Sequence, residues 1–253
     1  MSLDNKRVNT KSESYSAAEQ GILDALINSS VPADEQLENL HLFITPQQMR
    51  RIFFIYEIYK EILEVPGIIM QFGVRWGREL ALFESLRTTF EPFNHSRRIV
   101  GFDTFSGYAG INAKDGANAV IREGNLTTTA GYEEELTSLL DHREQLSPIS
   151  NVRKYELVKG DASTTLETYL KNHPATIVSL AHLDMNLYEP TKKCLELLIP
   201  HLTKGSVLIV DEINLDIFPG ETIALSEVFG LNNIRLKRHP LVNPTWPAYL
   251  VID

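Results

Sequence analysis

The sequence predicts an α/β fold built on a doubly wound, mostly parallel seven-stranded sheet, with extra helices at its N-terminus. Three observations predict it. From Pro66 onward, short apolar runs alternate with helical segments, which is the pattern of repeated βαβ units. Several of those runs end in a glycine or a short acid, as strand tips facing a ligand do in open parallel sheets. The length, 253 residues, suits one such domain with added helices and would cramp two.

Taken in order, residues 1–14 are polar and are expected to be disordered. Residues 15–64 read as N-terminal helices, with Thr45-Pro46 supplying an N-cap and a proline at the first helical position. That stretch carries Met49, Ile52, Phe53, Ile55, Tyr56, Tyr59 and Leu63, an apolar surface too wide for one face. It is expected to pack on the core and also on a partner subunit, making a homo-oligomer. The main domain then spans 65–253. Its strands are expected at Ile68 to Phe72, Arg98 to Phe102, Tyr155 to Val158, Thr176 to Leu183 and Ser206 to Val210, with two more near Ile234 to Arg238 and Ala248 to Ile252. Helices are expected at Gly77 to Phe90, Tyr132 to Arg143, Ser163 to Lys171, Glu189 to Ile199 and Glu221 to Phe229. Residues 104–131, rich in glycine and containing Thr127-Thr128-Thr129, show little periodicity. A loop this long in a compact domain is either a lid or binding segment, or an insertion without function.

Composition narrows the classes. The chain is 43% apolar and 23% charged, and its longest apolar runs fall well short of the ~20 residues that span a bilayer. The first twenty residues lack the apolar core of a signal peptide, so a cytoplasmic protein without membrane contact is expected. A net charge of −9 works against binding a phosphate backbone, so nucleic acid is not an expected partner. The lone cysteine, Cys194, excludes an internal disulfide framework and sits beside Leu195, Leu197 and Leu198 in a helical pattern that marks it as core.

The first strand runs from Gln71-Phe72 through Gly73-Val74-Arg75-Trp76-Gly77 directly into a helix. Gly73 and Gly77 let the backbone approach a ligand beside a helix N-terminus, but their spacing is not that of the dinucleotide fingerprint. The second strand ends at Asp103, thirty residues after Gly73, where a carboxylate can accept hydrogen bonds from ribose hydroxyls. Such an acid points to adenosine without choosing between a nicotinamide cofactor and S-adenosylmethionine; capping of the turn at Thr104 is the plain alternative. After the third strand, Gly160-Asp161-Ala162 places a short acid where it can take the adenine amino group. Gln71, Gly73, Gly77, Asp103, Thr104, Asp161, Ala162 and Asp184 form the expected cofactor set.

The fourth strand leads into Asp184 and the fifth into Asp211-Glu212, and in a doubly wound sheet these strands are neighbours. Three converging carboxylates either raise one another's pKa or are neutralised by a cation, and oxygen ligands favour magnesium or calcium. Magnesium on Asp184, Asp211 and Glu212 is the favoured reading; helix capping by Asp184 and an exposed Asp211-Glu212 turn is the alternative. Asp184 is the candidate proton acceptor. His182, on the same strand face by period two, is a reserve base.

The segment Asp184 to Thr191, the stretch Phe102-Asp103-Thr104-Phe105-Ser106-Gly107, the Gly160-Asp161 turn and Asp211-Glu212 together resemble the macrocin O-methyltransferase family of sugar O-methyltransferases, over roughly residues 45 to 253. The resemblance implies a class I, Rossmann-like methyltransferase domain, S-adenosylmethionine as cofactor, magnesium held at Asp184, Asp211 and Glu212, and a deoxysugar hydroxyl on a natural product or its precursor as acceptor. Two positions depart from the family pattern: Gln71 stands where many relatives carry an acid, and Asn186 where relatives often have a second one. Two rivals are a nicotinamide dehydrogenase on the same fold and a non-catalytic nucleoside-binding scaffold.

Overall fold

The structure, a computed structural model, describes residues 11–241 and 247–253. Its seven strands, β1 (Ile68–Phe72), β2 (Ile99–Asp103), β3 (Tyr155–Lys159), β4 (Val178–Leu183), β5 (Leu202–Val210), β6 (Lys237–Arg238) and β7 (Ala248–Val251), lie in the order β3-β2-β1-β4-β5-β7-β6. β1 to β5 are parallel, and β7 enters antiparallel between β5 and β6. This is the expected mostly parallel, doubly wound sheet. The strand order reverses between β1 and β4, whose tips meet in the register Phe72 to Leu183. β4 starts at Val178 rather than Thr176, and two strands differ more from expectation. β5 begins at Leu202, because Leu202 pairs with Val178 of β4 before a register irregularity, after which Val207 pairs with Leu180. β6 keeps only two residues, because at the sheet's edge Lys237 and Arg238 alone pair with β7.

Helices cover both faces. On one side lie α2 (Pro46–Glu61), α3 (Arg78–Phe90) and α4 (Tyr132–Glu144), burying Phe54, Ile58, Phe83 and Leu136 against Ile69, Leu180 and Ile209. On the other lie α5 (Ala162–Asn172), α6 (Tyr188–Leu198) and α7 (Gly220–Phe229), burying Leu166, Leu195 and Leu225 against Met70, Phe72 and Leu208. The period of two in a strand explains the division: Ile69 and Gln71 point one way, Met70 and Phe72 the other. Cys194 is buried in the second core, and burial pushes its thiol pKa up. Among the described residues no helix is long and apolar enough to cross a membrane.

The N-terminal region departs from a continuous helical stretch over 15–64. α1 runs Glu13–Ile27, with Ser12 capping it by accepting from the Tyr15 N–H at 3.2 Å. The expected disorder of residues 1–14 lies outside the described residues up to residue 10 and is corrected at Glu13 and Ser14, which are helical. The chain leaves the helix at Asn28 and turns through Pro32, since proline cannot continue an α-helix, before a short 3-10 turn at Leu40–Phe43. α2 starts as expected, with Thr45 and Gln48 forming a reciprocal capping box and Pro46 at the first position. Its core face is Phe54, Ile55, Ile58 and Tyr59; Phe53 faces outward. α1 buries no residue, and Leu23, Leu26 and Ile27 are exposed.

One buried cation ties α2 to the sheet. Arg97, 2% exposed, donates from Nη1 to the Val65 and Gly67 carbonyls and to Ser179 Oγ at 2.7–2.9 Å, and from Nη2 to the Ile62 carbonyl at 3.0 Å. Its Nε pairs with Glu91 at 2.9 Å. Arg97→Met would take the donor from these carbonyls and the counter-charge from Glu91, which would keep only its bonds from Tyr59 and Asn94. We expect it to lower unfolding stability by about 3–5 kcal/mol, read from urea denaturation, with Arg97→Lys losing less.

Candidate active site

At the switch point between β1 and β4 the strand tips open onto a cavity of about 390 Å³. Gly73, Asp103, Gly160 and Asp184, from the ends of four strands, border it, and Thr104, Tyr108 and Leu126 of the 104–131 segment form a further wall. Gly73 adopts φ +85°, and a Cβ there would sit 1.9 Å from the Asp184 carbonyl oxygen, so only glycine lets the two tips meet. Arg75, Phe105, Leu126 and Asn186 all have positive φ (49°, 54°, 63° and 61°) and lie at or beside this cavity. Left-handed backbone at non-glycine residues is costly and gathers where a site needs it.

One side of the cavity is built from turns. Gly77, at φ +76°, is the N-cap of α3 but does not line the cavity; a Cβ there would meet the Leu136 side chain of α4 at 2.4 Å, so this glycine serves helix packing. Asp103 accepts from the Arg75 N–H at 2.7 Å and the Phe105 N–H at 2.5 Å, so it stitches two turns together while bordering the cavity. Burial pushes its pKa up, against those N–H donors. Thr104 donates its hydroxyl to the Gly107 carbonyl at 2.8 Å. Asp161 caps α5 by accepting from the Ser163 N–H at 2.9 Å, and Ala162 follows it on the cavity wall. Gln71 is fully buried one layer behind, its Nε2 donating to the Gly73 carbonyl at 3.3 Å and its Oε1 without a hydrogen-bond partner among the described residues.

The acid side holds His182, Asp184 and Asp211, with one donor atom from each lying within 4.8 Å of the others. Arg51 of α2 enters this group. Its Nη1 is 2.7 Å from Asp211 Oδ1, its Nη2 is 3.3 Å from His182 Nε2 and 4.0 Å from Asp184 Oδ2, and its Nε donates to Glu79 Oε1 at 3.1 Å. Burial would raise the Asp211 pKa, but Arg51 and His182 beside it hold the carboxyl well below the usual range. Asp184, partly buried at the cavity edge and facing Asp211, is pushed well above it by desolvation and by that neighbouring charge. His182 has no exposed surface, and its Nδ1 has no partner among the described residues.

Glu212 stands in a separate network. Its Oε1 accepts from Asn186 Nδ2 at 3.1 Å, its Oε2 is buried without a partner among the described residues, and burial with Asp211 and Glu221 nearby pushes its pKa up to about 9. Asn186 in turn accepts from the Tyr108 hydroxyl at 2.8 Å, which ties the loop to the acids. A carboxylate in place of Asn186 would lose the donor to Glu212. Glu221 is fully buried; one oxygen accepts from the Met185 and Asn186 N–H groups at 2.8 Å and the other from the Glu212 N–H at 2.9 Å. A single side chain thus joins the loops after β4 and β5. Burial pushes it up to about 7.

Sequence reasoning missed Arg51, Glu79, Tyr108, Asp115 and Glu221. Glu221 had a signal, an acid just after Pro219-Gly220 at a helix start, where backbone N–H groups favour negative charge. Arg51 had none, because its place depends on how α2 docks. Asp115, fully buried, accepts from the Tyr188 N–H at 2.5 Å and the Asn112 N–H at 2.6 Å, so the 104–131 segment is pinned to the start of α6. In kind, the donor set suits a hard divalent cation: carboxylates outnumber the cation present, and Glu212 Oε2 is an unused buried acceptor. Arg51 is the charge now against Asp211.

Neither a protein-family profile nor a curated protein sequence matches the chain. Solved structures do. The crystal structure of CalS11, a calicheamicin methyltransferase, aligns with a TM-score of 0.93 at 38% identity, covering 99% of this chain and 98% of that one. An apo structure of CalS11, described as a TDP-rhamnose 3'-O-methyltransferase, gives 0.84 at 38% identity over 96% of each chain. The O-methyltransferase NovP, at 20% identity and a TM-score of 0.63 over 80% of this chain and 79% of that one, shares the fold. The chain is a methyltransferase and belongs to the family of CalS11, the O-methyltransferase family that its strand-tip motifs resemble.

Proposed function

We propose that this enzyme transfers the methyl group of S-adenosylmethionine to a hydroxyl of a deoxysugar, and that the sugar is carried on thymidine diphosphate as the acceptor of CalS11 is. The observation that carries this reading is one cavity bordered by Asp103 on one side and Asp184 on the other. Gly73 brings backbone up to the nucleoside while Gly77 turns the chain into α3, the free lone pairs of Asp103 take the ribose hydroxyls, and Asp161 with Ala162 takes the adenine edge. Gln71 supports the turn beneath. Tyr108 and Leu126 exclude water from the reacting groups.

Asp184 borders the cavity and accepts the proton of the acceptor hydroxyl. His182, sealed behind it, is a positioning residue for Asp211. A magnesium ion on Asp184, Asp211 and Glu212 would lower the hydroxyl pKa and fix its oxygen for in-line attack. Among neutral hydroxyls this matters, because none is a strong nucleophile at pH 7. The exposed apolar side chains of α1 and Phe53 of α2 are assigned to contact between two copies of the chain.

S-adenosylhomocysteine at about 100 times its Kd should add about 2.7 kcal/mol and raise the Tm by about 5–10 °C, with little effect from NAD. An equal shift with NAD would sink the cofactor assignment. Mass spectrometry with TDP-rhamnose should detect the gain of one methylene, lost on adding a chelator. Asp184→Asn should lower kcat by about 10²–10⁴-fold while the stabilisation by S-adenosylhomocysteine persists. Size-exclusion chromatography with light scattering should give the mass of two chains; a monomer would rule out the interface assigned to α1 and α2.

A further inference from the structure

Arg51 puts a permanent positive charge where the candidate metal donors converge. A guanidinium carries only donors and does not deprotonate, so it can neutralise carboxylates but cannot be a ligand. Its closest contact, Nη1 to Asp211 Oδ1 at 2.7 Å, engages an oxygen that a hard cation would also need. His182 Nε2 and Asp184 Oδ2 lie at 3.3 and 4.0 Å from the same guanidinium. A divalent ion against these atoms would stand within a few ångströms of Arg51, and like charges that close repel strongly in a site with little water.

We propose that Arg51 and a divalent cation are alternative occupants of the acid cluster: the arginine is the resident counter-charge of the metal-free enzyme, and a metal enters as the guanidinium withdraws from Asp211. This inference rests on the metal reading given under Proposed function. The withdrawing group keeps a partner, because Glu79 holds its Nε side at 3.1 Å and is itself buried. Burial would raise the Glu79 pKa, but Arg51 and Arg78 hold it down, so its charge is in place. Arg51 belongs to α2, so occupancy of the acid cluster is linked to the seating of the N-terminal layer, and the linkage runs both ways.

The test is an electron paramagnetic resonance titration of the full metal-free chain with Mn²⁺, comparing wild type with Arg51→Met and Asp211→Asn. The expected result is tighter binding by Arg51→Met, about tenfold or more, and weaker binding by Asp211→Asn. Binding by Arg51→Met alone would equally support the exchange. If Arg51→Met binds no tighter than wild type while Asp211→Asn loses the ion, the exchange is overturned and the metal reading stands. Should wild type and Arg51→Met both fail to bind, both readings fall. Should Arg51→Met not fold, hydrogen exchange of the wild type decides: Mn²⁺ should speed exchange within α2, and unchanged or slower exchange there overturns the proposal.

Discussion

The contact between Gly73 and the carbonyl of Asp184 sets the geometry on which the rest depends. With no side chain between them, the tips of β1 and β4 close to a separation that no other residue would allow. The turn after β1 then lines the cavity, and the turn after β4 delivers Asp184 to the same cavity. A strand order that reverses between these two strands provides the crevice, and the absent Cβ brings its walls into working distance.

Around that crevice the chain gathers more buried negative charge than it neutralises with its own cations. Glu79, Asp211 and Asp184 share Arg51, while Glu212 and Glu221 rely on amide donors. Such an arrangement is unstable as a set of bare charges, and its pKa values spread apart in consequence, with Asp211 low and Glu212 and Asp184 high. The same imbalance makes the site responsive to any cation, proton or polar acceptor that arrives.

Most of the fold was legible because local pattern and global arrangement agree. Apolar runs such as Ile68–Phe72 could only be buried strands, and the glycines and acids at their ends stood in the same relation to each strand. Asp103, Asp161 and Asp184 were readable for that reason. What escaped was set by docking between distant segments. Arg51 lies more than a hundred residues before His182, Asp184 and Asp211 and belongs to a helix whose periodicity says only that one face is buried. Glu221 acts through backbone N–H groups of two separate loops, a relation that exists only after the sheet has formed. The stretch 28–39 was misread because its polar and apolar residues mimic helix composition, whereas Pro32 and the serines before it break the run.

Asp115 gives the long segment after β2 a different mechanical character from a hinged flap. Its carboxylate is sealed from water and spends both oxygens on amide hydrogens, one of them the first of α6. Lifting the middle of the segment would strand a buried anion and uncap a core helix at once, so the centre is a fixed post. Two short arms remain on either side of it, and the arm carrying Tyr108 reaches the acids through Asn186. Side-chain exchanges along those arms can therefore reshape the cavity wall at Tyr108 and Leu126 while the post between them stays where it is.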